Sequence, residues 1–294
     1  MHRTYANLLL LLIAAIWGLA FVYQKTAMEH IGPYLFLAAR SILAAIILAP
    51  LALRENRSLG TRPRAEFWII SAAGGMVFFV AGILQQIGLV TATVTNTGFL
   101  TGLYVIITPL MVWLLFQQAP RFYVCPAVIL AFAGTWLLGG GTLSNFSFGD
   151  WLVAISAIFW SAHILVIERS GHHARPIGFS AIQFAVVSIL SLLCTIAFET
   201  ISFQALAAAA VEIAYVGILS SALTFTLFAV ALRYTPAIEA TILVSMETVF
   251  AALCAVILLS EWLSPIGWTG AAMMFLASLI VQVGPALFPK RKRH

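Results

Sequence analysis

Two side chains able to do chemistry stand inside runs that are otherwise oil. In ISAIFWSAHILVIER, residues 155–169, His163 follows Trp160 by three positions, and Ser156 and Ile167 extend the same face by further helical turns. That face presents a hydroxyl, an indole and an imidazole, which can hold a solute. Two other roles stay open for His163: a neutral ring bonded to a neighbouring carbonyl or hydroxyl, and a proton relay. A polar group without a partner in hydrocarbon costs several kcal/mol, so in every case the face must turn towards partners or water. Glu247 is the single carboxylate near the middle of an apolar run. An acid at such a position costs about 2.5–3.5 kcal/mol on the lenient insertion scale, so it needs polar surroundings or a proton. Proton coupling and a structural hydrogen bond are its two candidate roles.

Further polar and aromatic stripes accompany these two. Trp17, Phe21 and Gln24 are spaced four and three apart, and Thr97, Thr101, Tyr104 and Thr108 follow spacings of four, three and four. A flat solute between such rings gains roughly 0.5–1.5 kcal/mol per aromatic contact beyond burial; the alternative is that Trp17 and Trp160 are packing residues. Gly74, Gly75, Phe78, Gly82, Gln85 and Gln86 form a face that is small for two turns and then polar. Its glycines suit close helix approach, leaving Phe78, Gln85 and Gln86 as contact candidates. Of Ser220, Ser221 and Thr224, the first is expected to bond back to its own helix and the other two to meet solute. Asn96 and Glu239 are expected to cap helix starts.

The elements that must position these groups are membrane helices. Of 294 residues, 62% are hydrophobic and 9% charged, where a soluble domain carries about a quarter charged residues. Ten runs of about 20 apolar residues lie at 6–27, 34–53, 66–89, 95–116, 120–139, 149–168, 178–198, 211–232, 238–259 and 265–286. The first lacks a small-residue cleavage pattern and reads as a spanning helix, not a signal peptide. Connections are too short to fold alone, so no aqueous domain is expected. Cys125, Cys194 and Cys254 lie in apolar runs without a CxxC or disulfide pattern. There is no HExxH pair, no second mid-run carboxylate to match Glu247 and no nucleophile motif, so an enzyme is disfavoured.

Lys and Arg placement gives a direction. With the N-terminus inside, 13 of the 15 cations fall on the inner side, including the tail PKRKRH at 289–294. The exceptions are Lys25, at the end of the first run, and Arg40, inside the second. Both termini are therefore expected in the cytoplasm. The net charge of +5 follows from this orientation, and no folded basic surface for nucleic acid is present.

Shifted by 143 residues, the chain aligns weakly on itself: LLIAAIWGLAFVYQK at 11–25 lies on AISAIFWSAHILVIE at 154–168, Trp17 on Trp160, Tyr104 on Glu247 and Asn96 on Glu239. Near the ends the match slips by one, LLFQQ at 114–118 meeting LLSEW at 258–262. The expectation is two units, 1–143 and 144–294. Each holds five helices, and because five is odd the second must enter the membrane upside down, as in carriers that expose a midplane site alternately to each side.

AIWGLAF at 15–21, ALRYTPAIEATILVSMETVFAALCAVILLSEWLS at 231–264 and the five-plus-five layout resemble the paired EamA-type repeats of the drug/metabolite transporter superfamily. Within it the chain is most similar to the YddG-type exporters of aromatic amino acids. The resemblance implies an all-α bundle with helices 1, 3, 4, 6, 8 and 9 around a central cavity and helices 5 and 10 at the periphery. It implies a multi-pass carrier of a bacterial inner membrane that exports small amphipathic solutes, aromatic or large neutral amino acids first, with other metabolites or drugs as the alternative. Neither cofactor nor metal is expected, and the oligomeric state stays open, a monomer included. It also implies a proline after the helix 9 glutamate, where this chain has Thr248. The candidate wall is Trp17, Phe21, Gln24, Phe78, Gln85, Gln86, Thr101, Tyr104, Trp160, His163, Ser221 and Thr224, with Glu247 beside it.

Overall fold

A computed structural model of the chain describes residues 2–138 and 146–288. The boundary expected at 143 and the basic run 289–294 lie outside the described residues. No strand occurs among those described. Long helices follow in order: α1 Arg3–Ala27, α2 Pro33–Leu59, α3 Ala65–Thr91, α4 Val94–Phe116, α5 Val124–Leu138, α6 Phe148–Ser170, α7 Pro176–Phe198, α8 Ala210–Ala231, α9 Ala237–Leu259 and α10 Pro265–Leu287. Among the described residues nine of them are long and apolar enough to cross a bilayer, while α5 is described over only 15 residues. It starts later than the apolar run because Pro120 and Arg121 lie in irregular chain.

The bundle is apolar outside and carries its polar groups within. Ile46, Ile69, Leu115, Ile129 and Ile257 are exposed, whereas Arg40, Gln85, Gln86, His163, Gln183, Glu239 and Glu247 are buried. Water cannot satisfy backbone groups in hydrocarbon, so helices close their own hydrogen bonds and side-chain polarity collects where helices face one another.

Helix ends are tied across the bundle. Glu55, near the end of α2, accepts the N–H groups of Ile177 (3.2 Å) and Gly178 (2.7 Å) that open α7. Glu199, just after α7, accepts those of Tyr34 (3.1 Å) and Leu35 (2.8 Å) that open α2. Each carboxylate fills orphan donors at a helix N-terminus, where negative charge is favoured. The exchange holds α2 and α7 side by side in opposite directions. Lys25 does the converse, donating to the carbonyls of Leu89, Val90 and Ala92 at the end of α3. Where α5 crosses α10, a Cβ on Gly134 would stand 2.6 Å from the Gly270 carbonyl, so only glycine permits that approach. Gly75 likewise admits α7, since a Cβ there would meet Val186 Cβ at 2.6 Å.

Three irregularities were not expected. α4 is interrupted at Gly102 and Leu103, and α9 at Ser245, by tight turns with i→i+3 bonds such as Val105 N to Gly102 O (3.0 Å) and Thr248 N to Ser245 O (3.0 Å). The break in α9 therefore needs no proline after Glu247; Thr248 instead donates to the Gly98 carbonyl of α4 at 3.1 Å. The third is a π-helical segment in α8, Tyr215–Leu223.

The expected one-residue slip is absent. The breaks at Gly102 and Ser245 stand 143 apart, as do the left-handed residues that end the helices, Gln117 (φ 53°) and Ser260 (φ 57°). The leucine pairs that suggested a slip match in composition, not in backbone position. Asn96 and Glu239 do not cap. Thr93 caps α4, accepting Asn96 N at 3.1 Å, and Glu168 accepts the Ala237 N–H that opens α9 at 2.8 Å. The Asn96 side chain donates to Asp150 (3.2 Å), and buried Glu239 accepts from Tyr123 OH (2.9 Å) and pairs with Arg3 and Arg121. Both are tertiary ties, because other groups already fill the caps.

Candidate functional site: a central cavity

Where α1, α3, α4, α6, α8 and α9 face one another, a cavity opens at mid-depth, and α2 adds Arg40 to its wall. The cavity volume is about 50 Å³. That is room for a few waters, so the helices stand close around the space.

Of the residues expected at the wall, the structure brings together Trp17, Phe21, Gln24, Phe78, Gln85, Thr101, Tyr104, Trp160, His163 and Glu247. Gln86, Ser221 and Thr224 are buried outside it. Gln86 turns instead to the Gln24 carbonyl (3.3 Å). The Thr224 hydroxyl donates back to Ser220 O (2.6 Å) and accepts from the Trp17 indole (2.7 Å). Ser220, expected to face its own helix, lines the cavity while Ser221 does not, because the π-helical segment carries an extra residue per turn and shifts the face presented. Phe225, Phe228 and Arg40 also line it, with Ala20, Ile164 and Val244. Arg40 was detectable: it is a cation inside an apolar run, and an ionisable group inside a membrane helix is a functional candidate by default.

Aromatic rings form one continuous lining. Phe225 meets Trp17 (centroids 4.8 Å), Phe78 (4.9 Å), His163 (5.8 Å) and Trp160, on which it stacks at 6.1 Å and 24°. Phe78 meets Trp160 edge-on at 5.0 Å and His163 at 5.3 Å. The two indoles thus share Phe225 as their common neighbour.

Polar groups on this lining are partly committed. Tyr104 OH donates to Glu247 Oε1 at 2.8 Å, so two residues 143 apart in sequence touch in space. Gln85 donates to Thr101 at 2.8 Å. His163 Nε2 lies 2.9 Å from Gln183 Oε1, and with the amide so oriented the imidazole donates there and keeps Nδ1 as an acceptor. Among the described residues, His163 Nδ1, Trp160 Nε1, Gln183 Nε2 and Arg40 Nε find no protein partner. Such groups are costly to bury unpaired, and three of the four belong to residues that line the cavity.

Comparison with known proteins accords with this architecture. The model of the EamA-like transporter family matches twice, over residues 4–140 and 147–283. The chain is 30% identical over 281 residues to an uncharacterized transporter of Archaeoglobus fulgidus, covering 96% of this chain and 87% of that one. It is 27% identical over 287 residues to the uncharacterized transporter YwfM of Bacillus subtilis, covering 95% and 94%. A S-adenosylmethionine/S-adenosylhomocysteine transporter of Chlamydia trachomatis is 24% identical over 207 residues, covering 64% of this chain and 61% of that protein. A solved crystal structure shares the fold with a TM-score of 0.76 at 17% identity, covering 98% of this chain and 99% of that one. With both halves matched and the apolar surface of a multi-pass bundle, the chain belongs to the EamA-like transporter family and is a membrane transporter.

Proposed function

We propose that this protein is a secondary carrier that exports small amphipathic metabolites, with aromatic or large neutral amino acids as cargo, by alternating access. The observation that carries the reading is the cavity itself, walled by both repeats, with an aromatic lining and uncommitted polar groups at mid-depth. In this mechanism ten spans form two inverted five-helix units that rock about an axis passing near Tyr104 and Glu247. The contact between those two residues, the exchanged caps of α2 and α7 and the paired breaks in α4 and α9 support inversion, since a twofold exchange brings equivalent positions together. Cation placement supports cytoplasmic termini in an inner membrane.

Trp17, Phe78, Trp160 and Phe225 would hold a flat ring, and His163 and the Trp160 N–H would bind its polar substituents. Glu247 is the candidate for proton coupling. A second reading, favoured by the S-adenosylmethionine transporter among the relatives, gives the cavity a larger cargo that joins an aromatic base to an amino-acid head. Flux of labelled phenylalanine, tryptophan and S-adenosylmethionine in proteoliposomes, with and without an imposed pH gradient, tests both. Trp160→Ala and His163→Ala are expected to lose flux of the true cargo, and Glu247→Gln its response to the gradient. Unchanged aromatic flux in all three variants rejects the cavity assignment.

A further inference from the structure

We infer that Arg40 is the anion-binding residue of the cavity and that the cargo carries a single carboxylate. This rests on the carrier reading above and narrows its substrate class. Arg40 is 3% exposed, about two turns inside α2, yet it lines the cavity. Among the described residues no carboxylate lies within ion-pair distance of it. Its protein contacts are weak for a buried cation. One guanidinium nitrogen reaches Gln24 Oε1 at 3.4 Å, the charge stands 5.9 Å from the centroids of Phe36 and Phe78, and Nε has no partner.

A purely structural arginine in the membrane interior pairs with an acid or with carbonyls, because removing a charge from water without compensation is strongly unfavourable. Here Gln24 and the two rings orient the fork and leave its bonding capacity open. A guanidinium is planar and always charged, and matches the two oxygens of a carboxylate with parallel N–H bonds. Phosphate fits the same fork, but Glu247 on the same wall disfavours a second negative charge. Phe78 touches both this cation and the Trp160 ring, so a carboxylate on Arg40 places an attached ring among the aromatics.

The test uses the purified full chain and matched probes: benzoate against benzamide, phenylalanine against phenylalaninamide, and phenylphosphate, each titrated by thermal shift. The wild type is expected to bind each acid about tenfold or more tighter than its amide, the strength of a charged hydrogen-bonded pair. Arg40→Gln is expected to bring acid and amide within about twofold while still binding the amide. If Arg40→Gln does not fold, Arg40→Lys carries the test: the point charge without the fork should reduce the preference several-fold. Equal binding of acids and amides by the wild type, or a preference that survives in Arg40→Gln, overturns the assignment and leaves the carrier reading standing. Phenylphosphate binding more tightly than benzoate overturns the carboxylate. Wild type that binds neither acids nor amides rejects this inference and the aromatic-cargo reading together.

Discussion

Trp17 and Trp160 occupy equivalent places in the two repeats and do different work. The Trp17 indole donates to Ser220 O at 3.1 Å and to Thr224 Oγ1 at 2.7 Å, and its ring packs on Phe225 and Phe228 of α8. Its bonding capacity is used up inside the protein. The Trp160 N–H has no protein partner among the described residues. One helical turn further on, α6 carries His163 with a free Nδ1, where the repeat-equivalent position in α1 is Ala20. The α1 indole is therefore tied to its neighbours, whereas on the proposed function the α6 face is the one left to read a solute. Repeats that share a backbone can divide positioning and recognition between them, because a wall that satisfies itself completely has nothing left for a solute.

This contrast can be broken or sharpened by substitution, beginning with the largest change. Trp17→Ala should lose about 3 kcal/mol of stability, the low end of the range for emptying an aromatic site because the indole is half-buried, together with its two hydrogen bonds, while Trp160→Ala loses less and abolishes flux. Reversible unfolding in mixed micelles beside proteoliposome flux reads both quantities, and equal losses of stability would erase the distinction. Next is the tie between the repeats: Tyr104→Phe strips Glu247 of its partner and should cost about 1–3 kcal/mol. Glu247→Gln keeps an acceptor for the tyrosine and should cost clearly less, as denaturation midpoints at constant slope would report.

A smaller effect is expected behind the imidazole. Gln183→Leu removes the bond that orients His163 and should cost about 0.5–1.5 kcal/mol, with a fall in transport affinity larger than the fall in maximal rate. Unaltered concentration dependence of flux would show that His163 needs no orientation. The least change in stability is predicted for Trp160→Phe, within about 0.5 kcal/mol, since the lost N–H bonds nothing in the protein. Transport of cargo bearing a ring acceptor should nevertheless weaken several-fold, and a transport assay that cannot tell this variant from wild type would deny Trp160 its reading role.

How much of the site could be read in advance depended on angle about the helix axis. Gln24 lies on a regular 3.6-residue stripe and the structure places it at the cavity as spaced, whereas Thr101 and Tyr104 reach it from either side of the break at Gly102 and Leu103. Gln85 and Gln86 are neighbours 100° apart on α3, and only one of them can face the cavity. Packing of α3 on α6 and α7 chose Gln85. Ser220 replaced Ser221 at the wall for a similar reason, the π-helical segment having moved the phase of α8. Arg40 was visible as an anomaly but its surroundings were not, because Gln24 and Phe78, which orient it, come from other helices.

By itself the sequence determined the apolar helices, the 143-residue repeat and the presence of ionisable groups within the spans. Those properties follow from composition and period, since hydrocarbon obliges each segment to close its own backbone bonds wherever it packs. Only tertiary structure decided which polar groups are spent on the protein and which remain free. Partnership is a property of pairs far apart in the chain, such as Tyr104 with Glu247 and Trp17 with Thr224, and no local pattern encodes the rotation that brings them within 3 Å.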